Sequence, residues 1–299
     1  MRLGINTSLF ASPFGDQHTR LFPRFRKWGY DTVELAIASP ADFNPIHVRE
    51  QLDKCGLVAG SLYGVFGPGR DLRGPPAEQA AARQYIQDLL GQMPVLGCSV
   101  LAGPMYSTVG RVNPETRAAK REQWLLVKRH LGELAACAAD HGCTLCVEPL
   151  NRFETDFLNT CEQAIDLVGD VDHPALKIHL DTFHMNIEEK DLGQAIRNAG
   201  SLLGHVHASG CDRGTPGTDH TNWRSISSAL RFVNYQGDVV LRSFFADDEI
   251  IAQAVPVGRR PEPARDVIAR EGAKFLRRII NPEVGCEFPY LVARGATVG

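Results

Sequence analysis

Residues 176–186, LKIHLDTFHMN, begin with a short apolar run and end in a series of polar side chains. An apolar run without strict alternation is typical of a strand in a parallel sheet that helices cover on both faces. Other segments of the chain have the same character, and longer segments with helical spacing separate them. The predicted strands are residues 2–7, 32–37, 57–64, 99–105, 144–150, 176–185, 202–209 and 238–245.

This alternation of strands and helices predicts an α/β protein with the architecture of a single (β/α)8 TIM barrel. The 299 residues allow about 37 residues for each strand–helix unit, so we expect one domain over 1–299, with a C-terminal tail at 281–299. A doubly wound sheet is the alternative, but it needs a glycine-rich phosphate loop after an early strand. Residues 64–69, GVFGPG, contain a proline and have their glycines in the wrong order, so we interpret them as a turn.

The composition argues against several classes of partner. Apolar residues make up 43% of the chain, and 32 lysines and arginines against 35 acidic residues give a net charge of −3. Such a chain lacks the broad positive field that nucleic acid requires. No run approaches the ~18 apolar residues of a membrane span, and the start, MRLGINTSLF, becomes polar too early for a signal peptide. The eight cysteines are scattered, which favours reduced thiols and a cytoplasmic location.

Three neighbouring strands end in ionisable residues. Glu148 belongs to the fifth predicted strand, Asp181 to the sixth and His207 to the seventh. The carboxyl ends of the strands form the functional face of a (β/α)8 barrel, so we expect these side chains to converge. Two carboxylates and an imidazole suit a divalent cation of intermediate hardness, Mn²⁺ or Co²⁺ ahead of Mg²⁺. Without a cation they would repel one another or remain unpaired.

Single residues of this kind also have an ordinary structural interpretation. A glutamate at a strand end is usually a solvated charge or the partner of a lysine, so the metal site depends on the combination rather than on Glu148 alone. His205 points to the same side of its strand as His207 but deeper, and we interpret it and His179 as supporting histidines. The C-x-x-C motif at 143–146 runs into a predicted strand, so we interpret its cysteines as buried small side chains.

Sequence motifs surround these strand ends. They are EPLNRFETD at 148–156, HLDTFHMN at 179–186, and H-x-H at 205–207 followed by DRGTPG at 212–217 and by Trp223. The chain thereby resembles, over essentially its whole length, the ketose 3-epimerases of the xylose isomerase-like TIM barrel superfamily, which act on D-tagatose, D-psicose (allulose) or L-ribulose. The resemblance implies metal-dependent epimerisation of a free ketose at C3 through a cis-enediolate.

The resemblance also implies roles for individual residues. The metal ligands would be a fourth carboxylate on the eighth strand together with Glu148, Asp181 and His207. The residues that hold the sugar oxygens near C1 and C2 would be Glu154, His184 and Arg213. A cation would polarise the C2 carbonyl and the C3 hydroxyl. One carboxylate, with Glu148 well placed for it, would remove the C3 proton, and a second on the other face would return one.

The eighth strand departs from the family pattern. The ketose 3-epimerases have apolar-apolar-Glu-Ser/Pro-Phe, whereas this chain has VLRSF at 240–244, so Arg242 stands where the fourth ligand and second acid/base belong. An arginine does not deprotonate and can take neither role. The next acids, Asp247 and Asp248, follow only in the loop, and Gly210 replaces a glutamate that is common in the family after the metal histidine.

Two accounts of Arg242 remain open at this point. Either the chain has diverged naturally and binds a sugar or does other chemistry with three protein ligands, or it is a mutated or otherwise inactivated copy of an epimerase, altered to trap a substrate or to abolish the activity. The completeness of the rest of the site favours the second account. In the family register, the Arg242 guanidinium is expected to pair with Glu148 and Asp181 and to supply the charge that a cation would otherwise provide. Weak binding of Mn²⁺ or Co²⁺ and slow epimerisation are the expected consequences.

Other functions fit parts of the sequence. An isomerase or epimerase of a phosphorylated or 3-keto sugar is one, with the turn at 214–217 beside Arg213 as a candidate phosphate contact. A catalytically silent sugar-binding barrel is another, and Arg242 favours it. The DNA-repair endonucleases of the superfamily need a denser His/Glu cluster and a basic face, which this sequence lacks. The family association further predicts a homodimer or homotetramer, with residues 288–291, FPYL, as a candidate contact.

Overall fold

The computed structural model of the protein describes residues 1–113, 116–243 and 264–281. Its parallel strands form a closed barrel in which each strand pairs with its neighbours in sequence and the last pairs with the first. The predicted (β/α)8 barrel is therefore confirmed. The strands are β1 (Arg2–Asn6), β2 (Thr32–Ile37), β3 (Val58–Gly64), β4 (Val100–Gly103), β5 (Thr144–Val147), β6 (Leu176–Asp181), β7 (Leu203–Ala208) and β8 (Asp238–Leu241).

Helices connect the strands and cover the outside of the barrel. The α-helices in the described parts of the chain are α1 (Phe22–Lys27), α2 (Pro45–Cys55), α3 (Pro76–Leu96), α4 (Arg117–Asp140), α5 (Cys161–Val171), α6 (Thr182–Glu188), α7 (Leu192–Ala199), α8 (Trp223–Phe232) and α9 (Arg265–Ile280). Their apolar faces are buried against the strands, for example at Leu89 of α3, Leu131 of α4 and Leu276 of α9. No helix among the described residues has both the length and the apolar character that a membrane span requires.

The sixth strand is shorter than the sequence predicts. It ends at Asp181, and residues 182–185 begin α6, so the prediction of a strand over 176–185 is wrong at its end. One oxygen of the Asp181 carboxylate accepts a hydrogen bond from the backbone N–H of Phe183 at 2.9 Å. A capping aspartate of this kind starts a helix, and an apolar run alone does not reveal it.

The pairing of β1 with β8 closes the barrel. Arg2 lies beside Asp238 in this pair, and its guanidinium donates to both carboxylate oxygens, at 2.7 and 3.1 Å. The eighth strand was predicted over 238–245 but ends at Leu241, so Arg242 is the first residue after it. Residues 244 and 245 of that prediction lie outside the described residues.

The strand register determines which side chains share one rim of the barrel. Asp181 of β6 lies beside His207 of β7, and His207 lies beside Val240 of β8. Glu148 directly follows β5, and Arg242 follows β8. The carboxyl ends of these four consecutive strands therefore present their ionisable residues to one another.

Candidate functional site

Three of the residues singled out in the sequence meet at the carboxyl end of the barrel. Glu148, Asp181 and His207, called here the acid–imidazole group, are buried, and one donor atom of each lies within 4.8 Å of the others. His207 Nδ1 is 3.9 Å from Glu148 Oε1 and 3.8 Å from Asp181 Oδ2. Neither His207 Nδ1 nor Glu148 Oε1 finds a hydrogen-bond partner among the described residues. Buried atoms of this kind are normally satisfied, so a cation between them would supply the missing interaction.

The opposite nitrogen of His207 contacts a residue that the sequence analysis missed. Glu34 of β2 is fully buried, with Oε1 2.6 Å from His207 Nε2 and Oε2 2.7 Å from His205 Nε2. The side chains of Asn6 and Ser61 donate to the same two oxygens, at 2.5 and 2.6 Å. A carboxylate behind the ring fixes the orientation of a metal-ligating histidine, and leaves Nδ1 of His207 facing the cavity.

Glu34 and the histidines that it contacts shift each other's pKa values strongly. Burial disfavours the ionised form of Glu34, but the imidazoles of His207 and His205 outweigh it, so that the pKa of this carboxyl lies well below its usual range. Burial would also lower the pKa of His207, yet Glu34 and Asp181 raise it to about 9. Glu34 could have been suspected from the sequence, because an acid in the middle of an apolar strand is rarely buried without partners.

The second oxygen of Glu148 is held by another residue that the sequence analysis missed. Tyr63 of β3 donates its hydroxyl hydrogen to Glu148 Oε2 at 2.9 Å. Burial raises the pKa of Glu148 to about 7; nearby Asp181 acts in the same direction, while Arg242 and His207 act against it. A carboxyl group with a pKa near neutrality can both take up and release a proton, as general acid–base catalysis requires.

Arg242 lies beside the acid–imidazole group and is itself buried. Its Nη1 lies 3.6 Å from Asp181 Oδ2, and its guanidinium lies 4.6 Å from the centre of the Tyr63 ring. Burial opposes its charge, but Tyr63, Glu148 and Asp181 together raise its pKa above the usual arginine range. A permanent positive charge therefore lies beside the carboxylates of the acid–imidazole group.

The residues expected to hold a sugar form a second group next to the first, towards the open end of the barrel where the strands finish. This mouth group, Glu154, His184 and Arg213, is buried. The side-chain amide of Asn151 donates to Glu154 Oε1 at 2.7 Å, and the backbone N–H of Asn151 donates to His184 Nδ1 at 3.1 Å. Nδ1 of His184 therefore accepts a hydrogen bond from Asn151.

Arg213 joins the two groups. Its Nη1 donates to Asp181 Oδ2 at 2.7 Å and to Ser209 Oγ at 2.8 Å, and its Nη2 lies 3.2 Å from His184 Nε2. Burial lowers the pKa of His184 well below its usual range, and Arg213 lowers it further although Asp181 acts against this. The two ring nitrogens of a neutral His184 thus each face a donor, the Asn151 N–H at Nδ1 and the Arg213 guanidinium at Nε2.

The remaining residues of the sequence analysis lie as follows. His179 is buried in the barrel interior, with Nδ1 3.6 Å from Glu148 Oε2. Cys143 and Cys146 are buried free thiols. A Cβ at Gly210 would lie 3.1 Å from the carbonyl oxygen of Gly214, so the chain leaves little room for a side chain there. Asp247, Asp248 and residues 288–291, which the sequence also singled out, lie outside the described part of the chain.

Comparison with known proteins gives consistent similarities. Residues 22–279 match the model of the xylose isomerase-like TIM barrel family. The chain is 32% identical to a D-psicose 3-epimerase of Enterocloster bolteae, covering 94% of this chain and 96% of the relative. It is 33% identical to a D-psicose 3-epimerase of Ruminiclostridium cellulolyticum, covering 93% and 94%. Its fold superposes on a crystal structure of a Clostridium cellulolyticum D-psicose 3-epimerase with D-tagatose, with a TM-score of 0.83, 28% identity, and coverage of 94% of this chain and 99% of that one.

Proposed function

Because the chain belongs to the ketose 3-epimerase family of xylose isomerase-like TIM barrels, we propose that it inverts the configuration of a free ketose at C3. The observation that carries this proposal is that the acid–imidazole group and the mouth group lie together at the carboxyl end of the barrel, joined by the hydrogen bond from Arg213 to Asp181. The first group offers a proton-transfer carboxylate, and the second offers donors and an acceptor for sugar hydroxyls. A small-molecule sugar is the corresponding partner.

We assign the proton transfer at C3 to Glu148. Its Oε1 faces the cavity without a hydrogen-bond partner among the described residues, while Oε2 is held by Tyr63. With a pKa of about 7, part of this carboxyl group is ionised at neutral pH and can take the C3 proton from one face of the sugar. Solvent then returns a proton to the other face, and Glu148 releases its own proton to solvent. His184 and the Arg213 guanidinium hold ketose oxygens near C1 and C2, and Glu154 accepts a hydrogen bond from a hydroxyl.

The acid–imidazole group fits a divalent cation in its donor types, since two carboxylate oxygens and an imidazole nitrogen suit Mn²⁺ or Co²⁺, with Mg²⁺ third. Such a cation, when bound, polarises the C2 carbonyl and the C3 hydroxyl and so acidifies the C3 hydrogen. Glu148, Asp181 and His207 would hold it. Arg242 opposes its binding, because its guanidinium lies 3.6 Å from the Asp181 oxygen that already accepts a hydrogen bond from Arg213 at 2.7 Å, and the two guanidinium groups together repel a further positive charge.

Arg242 also limits the rate. It occupies the position from which a second carboxylate would return a proton on the other face of the sugar, and it cannot do so itself. A positioned acid or base is typically worth 10²–10⁴-fold in rate. We therefore propose that the protein epimerises slowly and binds Mn²⁺ or Co²⁺ weakly.

A paired measurement on three forms of the protein tests this proposal. Metal content is determined by mass spectrometry, and solvent deuterium entering C3 is measured on a panel of free ketoses. We expect little metal and slow exchange in the chain with Arg242. Arg242→Glu should gain both metal and exchange, whereas Arg242→Gln, which removes the charge without adding a carboxylate, should not recover fast exchange.

Two outcomes would contradict parts of the proposal. Full metal occupancy with fast exchange in the chain with Arg242 would show that another residue supplies the fourth ligand and the base. Ketose binding without exchange in all three forms would favour the second candidate, a catalytically silent sugar-binding barrel, for which the buried Arg242 is the specific argument.

We also propose a cytoplasmic location and a homodimer or homotetramer. The location is supported by the cysteines, which among the described residues are all free thiols. Size-exclusion chromatography with light scattering would test the assembly, and a monomer at working concentration would contradict it.

A further inference from the structure

Tyr63 of β3 contacts both Glu148, the proposed proton-transfer carboxylate, and Arg242. It is 4% exposed and belongs to none of the motifs that indicate the family. Its hydroxyl donates to Glu148 Oε2 at 2.9 Å. The Arg242 guanidinium lies 4.6 Å from its ring centre, and the His207 ring lies 5.2 Å from it.

The hydroxyl of Tyr63 makes the two oxygens of Glu148 different. A hydrogen bond to a carboxylate is shorter and stronger than one between neutral groups, so it fixes the rotation of that carboxylate. With Oε2 held by Tyr63, Oε1 is the oxygen that faces His207 Nδ1, 3.9 Å away. Without the phenol, Glu148 would be free to present either oxygen to the cavity.

The ring of Tyr63 acts on Arg242. A guanidinium over an aromatic ring is attracted by the negative face of the ring, and the attraction grows when water is excluded. Arg242 is a long side chain with many rotamers, and the ring limits them to those that keep Nη1 3.6 Å from Asp181 Oδ2. The same residue therefore holds both the carboxylate and the cationic side chain.

We propose that Tyr63 is a positioning residue, which orients Glu148 through its hydroxyl and Arg242 through its ring. The kinetic part of this inference rests on the proposed C3 epimerisation. The contacts of Tyr63 with Glu148 and Arg242 do not depend on that function, and their effect on the stability of the folded protein can be measured without any reaction.

Two substitutions separate the roles. Tyr63→Phe removes the hydroxyl and keeps the ring, and Tyr63→Leu removes both. Tyr85→Phe is a matched control: Tyr85 lies on α3, is also buried, has the Arg70 guanidinium 4.2 Å from its ring centre, and donates its hydroxyl to the carbonyl oxygen of Ile37.

For deuterium exchange at C3, we expect Tyr63→Phe to lower kcat about 10-fold, the lower end of the effect of residues that orient a metal ligand. KM should stay unchanged, because the sugar-holding mouth group is not altered. Tyr85→Phe should change neither constant. An unchanged kcat in Tyr63→Phe would overturn the role of the hydroxyl.

Double-mutant cycles on urea unfolding test the contacts without any catalysis. The effects of Tyr63→Leu and Arg242→Gln should be non-additive, whereas Tyr63→Phe and Arg242→Gln should be additive because the ring remains. The effects of Tyr63→Phe and Glu148→Gln should also be non-additive. If no form of the protein exchanges deuterium, the proposed function fails but these cycles still decide on Tyr63. Additivity of Tyr63→Leu with Arg242→Gln would overturn the role of the ring.

Discussion

At the scale of single residues, Arg213 has the most constrained conformation in the cavity. Its backbone φ is +61°, a value that non-glycine residues rarely adopt. Its guanidinium is bound by Asp181 and Ser209 and lies 3.9 Å from the centre of the Phe183 ring. Unfavourable backbone conformations persist where the surroundings over-determine them, and they concentrate at functional sites. The conformation of Arg213 therefore agrees with the role that we propose for it.

Replacing Arg213 with alanine should weaken sugar binding. The loss of a charged hydrogen-bond donor predicts a KM raised about 10- to 100-fold, with a lower kcat if the contact strengthens in the transition state. Steady-state kinetics on the preferred ketose measures both constants. Arg152→Ala is the control, since Arg152 pairs with Glu188 and its side chain is 62% exposed. An unchanged kcat/KM in Arg213→Ala would refute the assignment.

At the scale of elements, the loop that carries Arg213 packs closely against α9 at Gly217. Gly217 has a φ of +89°, and a Cβ there would lie 2.5 Å from the ring of Phe275 on α9. The Phe275 ring also contacts Trp223 at the start of α8, with ring centres 5.6 Å apart. The absence of a side chain at Gly217 thus lets the loop approach α9 and places Arg213 over the barrel.

Gly217→Ala should destabilise the protein more than an equivalent substitution in open space. Gly69 is the matched control, because its φ is +84° and a Cβ there meets nothing within 4 Å. Both substitutions cost backbone strain, but only Gly217→Ala must also displace a packed ring, which adds about 1–3 kcal/mol to the loss in free energy of unfolding. Urea unfolding measures the difference. Equal losses would show that Phe275 moves aside without cost.

The elements and the site differ in how much the sequence could reveal. Apolar runs revealed every strand but placed the ends of β4, β5, β6 and β8 too late. At β6 the reason is the local hydrogen bond from Phe183 N to Asp181, which competes with the sheet. Strand ends revealed the acid–imidazole group, because barrel strands end at one rim. The sequence did not reveal the roles of Glu34 and Tyr63, because these roles depend on contacts across the barrel interior with residues far away in the sequence.

At the scale of the whole molecule, contacts between the two ends of the chain complete the barrel. Arg277 of α9 donates to both oxygens of Asp31, at 2.8 and 3.1 Å, and Asp31 also accepts from the backbone N–H of Leu3 at 2.9 Å. Burial disfavours the ionised form of Asp31, but Arg277 and the Leu3 N–H outweigh it and lower its pKa. The attachment of the last helix therefore depends on an ionised aspartate.

This pKa shift predicts a pH-dependent part of the stability. Since the pKa of Asp31 is lower in the folded than in the unfolded chain, its contribution is fully present above the unfolded value of about 3.9. It should be lost as the pH falls from there through the folded pKa. Urea unfolding from pH 7 to pH 3 should show that Asp31→Asn is less stable than the natural protein at pH 7 and that the difference shrinks towards pH 3. Asp53→Asn, at a side chain that is 67% exposed, is the control, and a difference that is constant with pH would contradict the prediction.

The closure of β1 against β8 also has a consequence for biosynthesis. A ribosome makes the chain from its N-terminus, so β1 is synthesised long before β8. Until β8 pairs with it, that edge of β1 has unpaired backbone groups. Such an edge invites pairing with other nascent chains, and a charged side chain on it discourages that. Arg2, half-exposed and bound to Asp238 in the finished barrel, carries such a charge. Arg2, which binds Asp238 in the closed barrel, thus also disfavours pairing of β1 with other chains during synthesis.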